Sequence, residues 1–154
     1  MKNMKVLFLD FDGVLNSEKY IRRFGLTGLV LDPMNMALLK QIIDATGARI
    51  VLSTTWREHW SQDPAQCNDT GREINAIFAQ YGLQIFDKTP EIYPKREAEI
   101  KSWLDDHPDA NSFAVLDDRF LGADFLTGHF VKTSGYARGL DEADVQKAIE
   151  ILNG

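Results

Sequence analysis

The chain has 154 residues, of which 44% are hydrophobic and 26% are charged. That length suits one domain with a sizeable core, and the apolar fraction excludes a disordered chain. No apolar run approaches the roughly 18 residues that a membrane-spanning helix needs. The single cysteine, Cys67, excludes an internal disulfide. We therefore expect one domain over residues 1–154, in the reducing cytoplasm and away from membranes.

The net charge of the chain argues against a protein that coats nucleic acid. Lys and Arg number 17 against 23 Asp and Glu, which gives a formal net charge of −6. Such a field repels polyanions at long range, so stable general binding to nucleic acid is not expected. Acidic residues that gather around a metal ion would cancel part of this charge where a ligand binds.

Short apolar runs alternate with amphipathic stretches along the chain. In chain order, we predict a strand at 5–9, a helix at 33–46, a strand at 49–53, a helix at 71–81, a strand at 84–86, a helix at 95–106, strands at 112–116 and 129–132, and a helix at 141–152. This alternation predicts an α/β fold, a doubly wound parallel sheet of about five strands with helices on both faces. Ligands of such sheets bind at the carboxyl ends of the strands.

The first predicted strand ends in a pair of acids, Asp10 and Asp12, followed by Gly13. Two carboxylates so close to a buried strand repel each other unless a cation or hydrogen bonds compensate. A calcium loop is excluded, because Val14 and Leu15 occupy positions where that loop needs a ligand and a glycine. Gly13 suits a sharp turn that brings backbone N–H groups close to a ligand.

A second acid pair, Asp117 and Asp118, follows the predicted strand at 112–116. If both strand ends meet at one edge of the sheet, four carboxylates converge there. That arrangement is stable around a divalent cation, and ligation by oxygen alone favours Mg²⁺.

Two further groups at strand and helix ends favour an anionic ligand. Ser53, Thr54 and Thr55 end the second predicted strand, where their hydroxyls could hold a phosphate oxygen. Lys95 and Arg96 open the helix at 95–106, where the helix dipole disfavours a cation unless an anion binds nearby.

These four pieces, in this order, resemble the motifs of the haloacid dehalogenase-like (HAD) superfamily of phosphohydrolases over roughly residues 5–133. LDFDGVLN matches the first motif, VLST the second, Lys95 or Arg96 the third, and VLDDR the fourth. The sequence STTWR and the C-terminal segment GLDEADVQKAIEIL are similar to those of small members without a cap domain, including HAD domains attached to RNA-repair proteins.

The resemblance implies roles for the motif residues. Asp10 would be the nucleophile that forms an aspartyl-phosphate, and Asp12 would protonate the leaving oxygen and then activate water. Thr54 would hold the phosphoryl group, with Ser53 and Thr55 as alternatives one step either way.

The same resemblance implies a cation and a metal around the phosphoryl group. Lys95 would neutralise it, with Arg96 as the alternative. Mg²⁺ would bind Asp10, the backbone carbonyl of Asp12, and Asp118 with Asp117 beside it. The presence of Asp12 favours phosphoryl transfer over dehalogenation, because a halide leaves without a proton.

The spacing of the motifs leaves no room for a cap domain, so an open site is expected, with a small flap at 16–31. Trp56 and Arg57 beside the second motif could stack a base and bind a second phosphate, which favours a nucleotide or a nucleic-acid end as the phosphorylated substrate. The alternative is that these side chains pack in the core and that Arg57 pairs with a carboxylate.

Two other functions compete with the phosphatase. A receiver-like signalling domain would use Asp87, after the third predicted strand, as its phospho-acceptor, and it leaves the second acid pair without a role. A catalytically silent phosphate-binding module on the same fold is the other alternative.

Overall fold

A computed structural model of the chain, which describes residues 3–92 and 95–154, contains one five-stranded parallel sheet. The strands are β1 (Met4–Leu9), β2 (Arg49–Leu52), β3 (Ile85–Lys88), β4 (Ala110–Asp117) and β5 (Phe130–Lys132). Their order is β3-β2-β1-β4-β5, and every neighbouring pair is parallel. This is the Rossmann-like order 3-2-1-4-5, whereas receiver domains have the order 2-1-3-4-5.

Five α-helices connect and cover the strands within the described residues. They are α1 (Glu18–Phe24), α2 (Pro33–Thr46), α3 (Asp69–Gln80), α4 (Arg96–Asp105) and α5 (Glu142–Asn153). Short 3₁₀ helices lie at Thr55–His59, Pro64–Gln66 and Asp124–Leu126. All predicted strands and helices are present within about two residues of their expected bounds.

Helix α1 is the element that the sequence interpretation did not contain. It lies inside the segment 16–31, which we expected to be a flap. Ser17 caps its N-terminus by accepting a hydrogen bond from the Tyr20 N–H, and Gly25 ends it in a left-handed conformation. Each cap is a recognisable signal, but seven residues between them show too little apolar periodicity to predict a helix.

Two hydrophobic clusters cover the two faces of the sheet. Leu7 and Leu9 of β1 pack with α2, α3 and α5, whereas Val6 and Phe8 pack with α4. The side chains of β1 are thus buried on both faces, which explains its unbroken apolar sequence. The doubly wound α/β fold is confirmed, and residues 3–92 and 95–154 contain no inserted cap domain.

The register of the central strands aligns their carboxyl ends. Leu9 of β1 lies opposite Leu52 of β2 and opposite Leu116 of β4. One residue further on, Asp10 therefore lies between Ser53 and Asp117 at the same edge of the sheet. No helix in the described ranges has both the length and the hydropathy needed to cross a membrane.

Candidate active site

Three carboxylates converge at the carboxyl end of the central strands. One oxygen from each of Asp10, Asp117 and Asp118 lies within 4.8 Å of the others. Asp10 is 5% exposed and Asp117 is fully buried, while Asp118 is half-buried. The sequence expectation that the two acid pairs meet at one edge of the sheet therefore agrees with the geometry for these three side chains.

A buried guanidinium lies between two of these acids. Arg96, at the first turn of α4, places Nη1 at 2.9 Å from Oδ2 of Asp10 and at 2.6 Å from Oδ2 of Asp117. Its neighbour Lys95, which we expected in this role, is the exposed N-cap residue of α4. Arg96, which the sequence interpretation named as the alternative, is therefore the residue against the cluster. Its planar guanidinium can contact two carboxylates at once.

The clustering changes the acidity of its members. Burial raises the pKa of Asp10 to about 6, with Arg96 opposing the rise and Asp117 adding to it. Burial and the nearby Asp117 also raise the pKa of Asp118. For Arg96, burial lowers the pKa, but the charges of Asp10 and Asp117 outweigh it and raise the pKa above its ordinary value.

Asp118 is enclosed by two glycines, Gly13 and Gly135. A Cβ atom built on either glycine would overlap the Asp118 side chain. Gly13 also has a φ of 84°, which disfavours any other residue. Thr133, the residue after β5, donates its hydroxyl hydrogen to the Gly13 carbonyl at 2.6 Å. The turn after β1 is therefore shaped to bring Asp118 close to Asp10.

The three hydroxyls after β2 have different surroundings. Thr54 accepts the N–H of Trp56 at 3.3 Å, which caps the 3₁₀ helix, and Thr55 is exposed. Ser53 is fully buried, and its hydroxyl has no hydrogen-bond partner among the described residues. Strand alternation places Ser53 on the same face of the sheet as Asp10 and Arg96.

Asp12 lies in solvent-exposed surroundings beside the cluster, but both its carboxylate oxygens accept hydrogen bonds. Trp56 Nε1 donates to Oδ2 at 2.9 Å, and Asn16 Nδ2 donates to Oδ1 at 2.9 Å. The Trp56 indole, for which the sequence left base stacking and core packing open, is thus bound to an acid of the first motif.

Arg57 is buried away from the acid cluster. It pairs with Glu99 of α4 at 2.7 Å, and it donates to the backbone carbonyls of Thr54 and Thr89. This is the carboxylate pairing that the sequence left open as the alternative to phosphate binding.

Asn16, Thr133 and Gly135 are residues of the site that sequence reasoning missed. The Asn16 side chain accepts the N–H of Gly13 and donates to Asp12 and to the Val30 carbonyl. Because Asn16 belongs to the first motif, its position in the sequence could have identified it as a site residue. Thr133 and Gly135 carry no comparable signal, because only the parallel pairing of β4 with β5 brings them to Gly13 and Asp118.

A cavity of about 530 Å³ opens beside the cluster, and Asp12 and Asp118 are on its wall. Its far side is formed by Ile21 and Arg22 of α1 and by Tyr136 of the loop after β5. A substrate group bound next to Asp12 has space there.

The residues of the cluster fit a divalent cation. The three carboxylates lie against the buried guanidinium of Arg96, and the exposed guanidinium of Arg119 is 3.9 Å from Asp117, so the negative charges still outnumber the positive ones. The available donors are all oxygen atoms, which suits Mg²⁺ better than a softer metal.

The fold and the cluster together define a class, the Rossmann-like proteins with an acidic site at the end of the central strand. Within that class, the family model for the HAD domain in Swiss Army Knife RNA repair proteins matches residues 6–145. The chain belongs to this family, which confirms the resemblance seen in the motifs. A comparison with curated proteins found no match. Membership in the family supports a phosphatase-type hydrolase.

Proposed function

We propose that this chain is a Mg²⁺-dependent phosphatase that cleaves a phosphate monoester through an aspartyl-phosphate on Asp10. The observation that carries the proposal is the position of Asp10. Its carboxylate is buried at the end of the central strand, paired with Arg96, and close to Asp117 and Asp118. A carboxylate that attacks an anionic substrate needs a nearby cation such as Arg96, since two anions otherwise repel each other.

The reaction would proceed in two balanced steps. An oxygen of Asp10 attacks phosphorus, the ester P–O bond breaks, and Asp12 gives its proton to the leaving oxygen. Water then attacks the phosphorus of the aspartyl-phosphate, Asp12 takes a proton from it, and the bond to Asp10 breaks with release of phosphate. Asp12 lies two residues beyond the nucleophile and remains accessible, as this double role requires.

In this proposal Mg²⁺ would be held by Asp10, Asp118 and the backbone carbonyl of Asp12, with Asp117 beside them. The metal would supply charge that offsets the repulsion between carboxylate and phosphate. The Asp117 carboxylate accepts hydrogen bonds from the Arg96 guanidinium and from the backbone N–H of Arg119. These contacts support a role for Asp117 in orienting Arg96.

Arg96 and Ser53 are the residues that we propose for binding the phosphoryl oxygens. Arg96 contacts Asp10 directly, whereas Lys95 is exposed at the helix start. The buried hydroxyl of Ser53 lacks a partner among the described residues, whereas the Thr54 hydroxyl already accepts the Trp56 N–H. A bound phosphate would satisfy the Ser53 hydroxyl, whose burial without a partner otherwise costs about 1–3 kcal/mol.

We propose a nucleotide or a nucleic-acid end as the substrate. The leaving group would enter the cavity beside Asp12, where Tyr136 presents an exposed ring on which a base can stack. The described ranges contain no cap over this opening, so a long strand has access. The association of the matched family with RNA repair supports the same class of substrate.

The test is hydrolysis of p-nitrophenyl phosphate with and without Mg²⁺, comparing the unaltered chain with Asp10→Asn. We expect metal-dependent turnover that disappears in Asp10→Asn. The matched control is Asp87→Asn, because Asp87 also lies in a parallel strand, β3, but its side chain binds only the Trp103 indole among the described residues. Turnover that survives in Asp10→Asn would exclude Asp10 as the nucleophile, and an equal loss in Asp87→Asn would show that the loss does not depend on the acid cluster.

A further inference from the structure

We propose that Trp56 is a positioning residue, which fixes the Asp12 carboxylate for proton transfer through its indole N–H. The inference rests on the proposed function, in which Asp12 is the acid–base group. It gives Trp56 a role different from the two that the sequence left open, base stacking and core packing.

The geometry leaves the Asp12 carboxylate little freedom. The indole of Trp56 and the amide of Asn16 donate to different oxygens, each at 2.9 Å. An exposed aspartate without such contacts rotates freely about its side-chain bonds. Each oxygen accepts one N–H and keeps a second lone-pair position, where a proton can be carried to the substrate. The two donors therefore fix the direction in which Asp12 presents that proton.

Trp56 is itself held firmly enough to impose this direction. Its backbone N–H is bonded to the Thr54 hydroxyl, and the next residue, Arg57, is buried in its pair with Glu99. Lys88 of β3 donates to two carbonyls of the same 3₁₀ helix segment, Arg57 at 3.1 Å and Trp60 at 2.6 Å. The buried pair and the Lys88 contacts tie the segment to α4 and to the sheet.

The functional consequence depends on the leaving group. An alkyl phosphate releases a strongly basic alkoxide and needs a well-placed proton, whereas p-nitrophenolate leaves readily without one. Loss of the indole N–H should therefore affect the alkyl ester more than the aryl ester. A purely structural role of Trp56 would affect both esters equally.

The experiment compares Trp56→Phe with Trp60→Phe on both substrates. Trp56→Phe keeps an aromatic ring and removes the N–H. Trp60→Phe is the matched control, because the Trp60 indole donates to Asn75 and not to Asp12. The measured quantity is kcat/KM, which covers only the steps up to loss of the leaving group. In Trp56→Phe we expect kcat/KM to fall about tenfold further for the alkyl than for the aryl phosphate, since misplacing a general acid forfeits part of its rate contribution.

A second readout does not depend on activity. The chain has three tryptophans, so in ¹H–¹⁵N spectra the Trp56 indole resonance is the one that persists in both Trp60→Phe and Trp103→Phe. We expect it to shift, and its exchange with water to accelerate, in Asp12→Ala, while the Trp60 indole resonance remains in place. This measurement also covers the case in which Trp56→Phe folds poorly.

The outcomes separate the two proposals. Equal losses on both substrates, no loss, or the same selectivity change in Trp60→Phe would overturn the role of Trp56. If the unaltered chain hydrolyses neither ester, the proposed function fails. An indole resonance of Trp56 that is unaffected by Asp12→Ala would then overturn the contact as well.

Discussion

The two sides of the candidate active site are built differently. On one side, the β2-side rim (residues 53–60) contains Arg57, which is 5% exposed and ion-paired, and the buried Trp60. On the other side, the α1-side rim consists of α1 and residues 134–138. None of the seven α1 residues, all of them described, is buried, and Tyr136 is 61% exposed.

The difference indicates that the β2-side rim positions a catalytic side chain and that the α1-side rim receives the substrate. The β2-side rim holds Trp56 against Asp12 through buried polar contacts, so its geometry is fixed before a ligand arrives. In the α1-side rim, two backbone hydrogen bonds join α1 to residues 134–138. The Glu18 N–H donates to the Gly135 carbonyl, and the Lys19 N–H donates to the Tyr136 carbonyl. Few buried contacts restrain it, which suits a surface that receives leaving groups of different size.

Breaking the buried pair of the β2-side rim should have the largest effect on stability. Glu99→Ala leaves the Arg57 guanidinium without its carboxylate partner in a buried site. We expect the free energy of unfolding to fall by about 3–5 kcal/mol, measured by urea denaturation. Lys101→Ala, which breaks the exposed pair with Asp105 on the same helix, should cost less than about 1 kcal/mol. Similar losses in both variants would contradict the rigidity assigned to this rim.

A methyl group added where the α1-side rim meets the acid cluster should weaken metal binding. In Gly135→Ala the new Cβ overlaps Asp118, so that side chain must move away from Asp10. We expect the Mg²⁺ concentration needed for half-maximal activity to rise roughly 10–100-fold, as for other residues that orient metal ligands. Gly122→Ala, where the nearest side chain is the exposed Phe120, is the control. Unchanged Mg²⁺ dependence in Gly135→Ala would exclude Asp118 as a ligand.

Truncation of the exposed ring on the α1-side rim should affect substrate binding and leave stability nearly unchanged. Tyr136→Ala removes a side chain that is 61% exposed, so the free energy of unfolding should change by no more than about 0.5 kcal/mol. We expect KM for a phosphate-ended oligonucleotide to rise roughly 5–150-fold, since stacking of a base contributes about 1–3 kcal/mol. Phe24→Ala, on the same rim but outside the cavity wall, serves as the comparison. Equal KM values in Tyr136→Ala and the unaltered chain would show that the base does not stack there.

The start of α5, which follows the α1-side rim, should give the smallest effect, one that depends on pH. Burial raises the pKa of Asp144 to about 6, and the neighbouring Asp141 adds to the rise. An acid with a raised folded-state pKa contributes stability below its unfolded-state pKa and loses it as pH rises through about 6. The loss should stay below about 1 kcal/mol, because solvent screens this partly exposed group.

Asp144→Asn removes that titration and keeps an oxygen to accept the Asp141 N–H. We expect the variant to gain thermal stability relative to the unaltered chain as pH rises from about 4 to about 7. The measurement is the difference between the two melting temperatures across that range. A difference that stays constant with pH would contradict the raised pKa.

Local sequence was sufficient for the fold and for the acid pairs. The apolar run that predicts a strand at 5–9 and the periodicity that predicts a helix at 33–46 depend on neighbouring residues alone, and the structure contains both elements as β1 and α2. Helix α1 was missed because its seven residues bury no apolar stripe, so hydrophobic periodicity had nothing to detect.

The sequence by itself determined the doubly wound sheet, the family and the meeting of Asp10 with Asp117 and Asp118, because apolar runs and strand ends are local features. Only the tertiary structure decided that Arg96 and not Lys95 contacts Asp10, since helix phase selects which of two adjacent residues is buried. It also decided that Trp56 binds Asp12 and that Gly135 makes room for Asp118. Those contacts join residues far apart in the chain, and the packing of the strands brings them together.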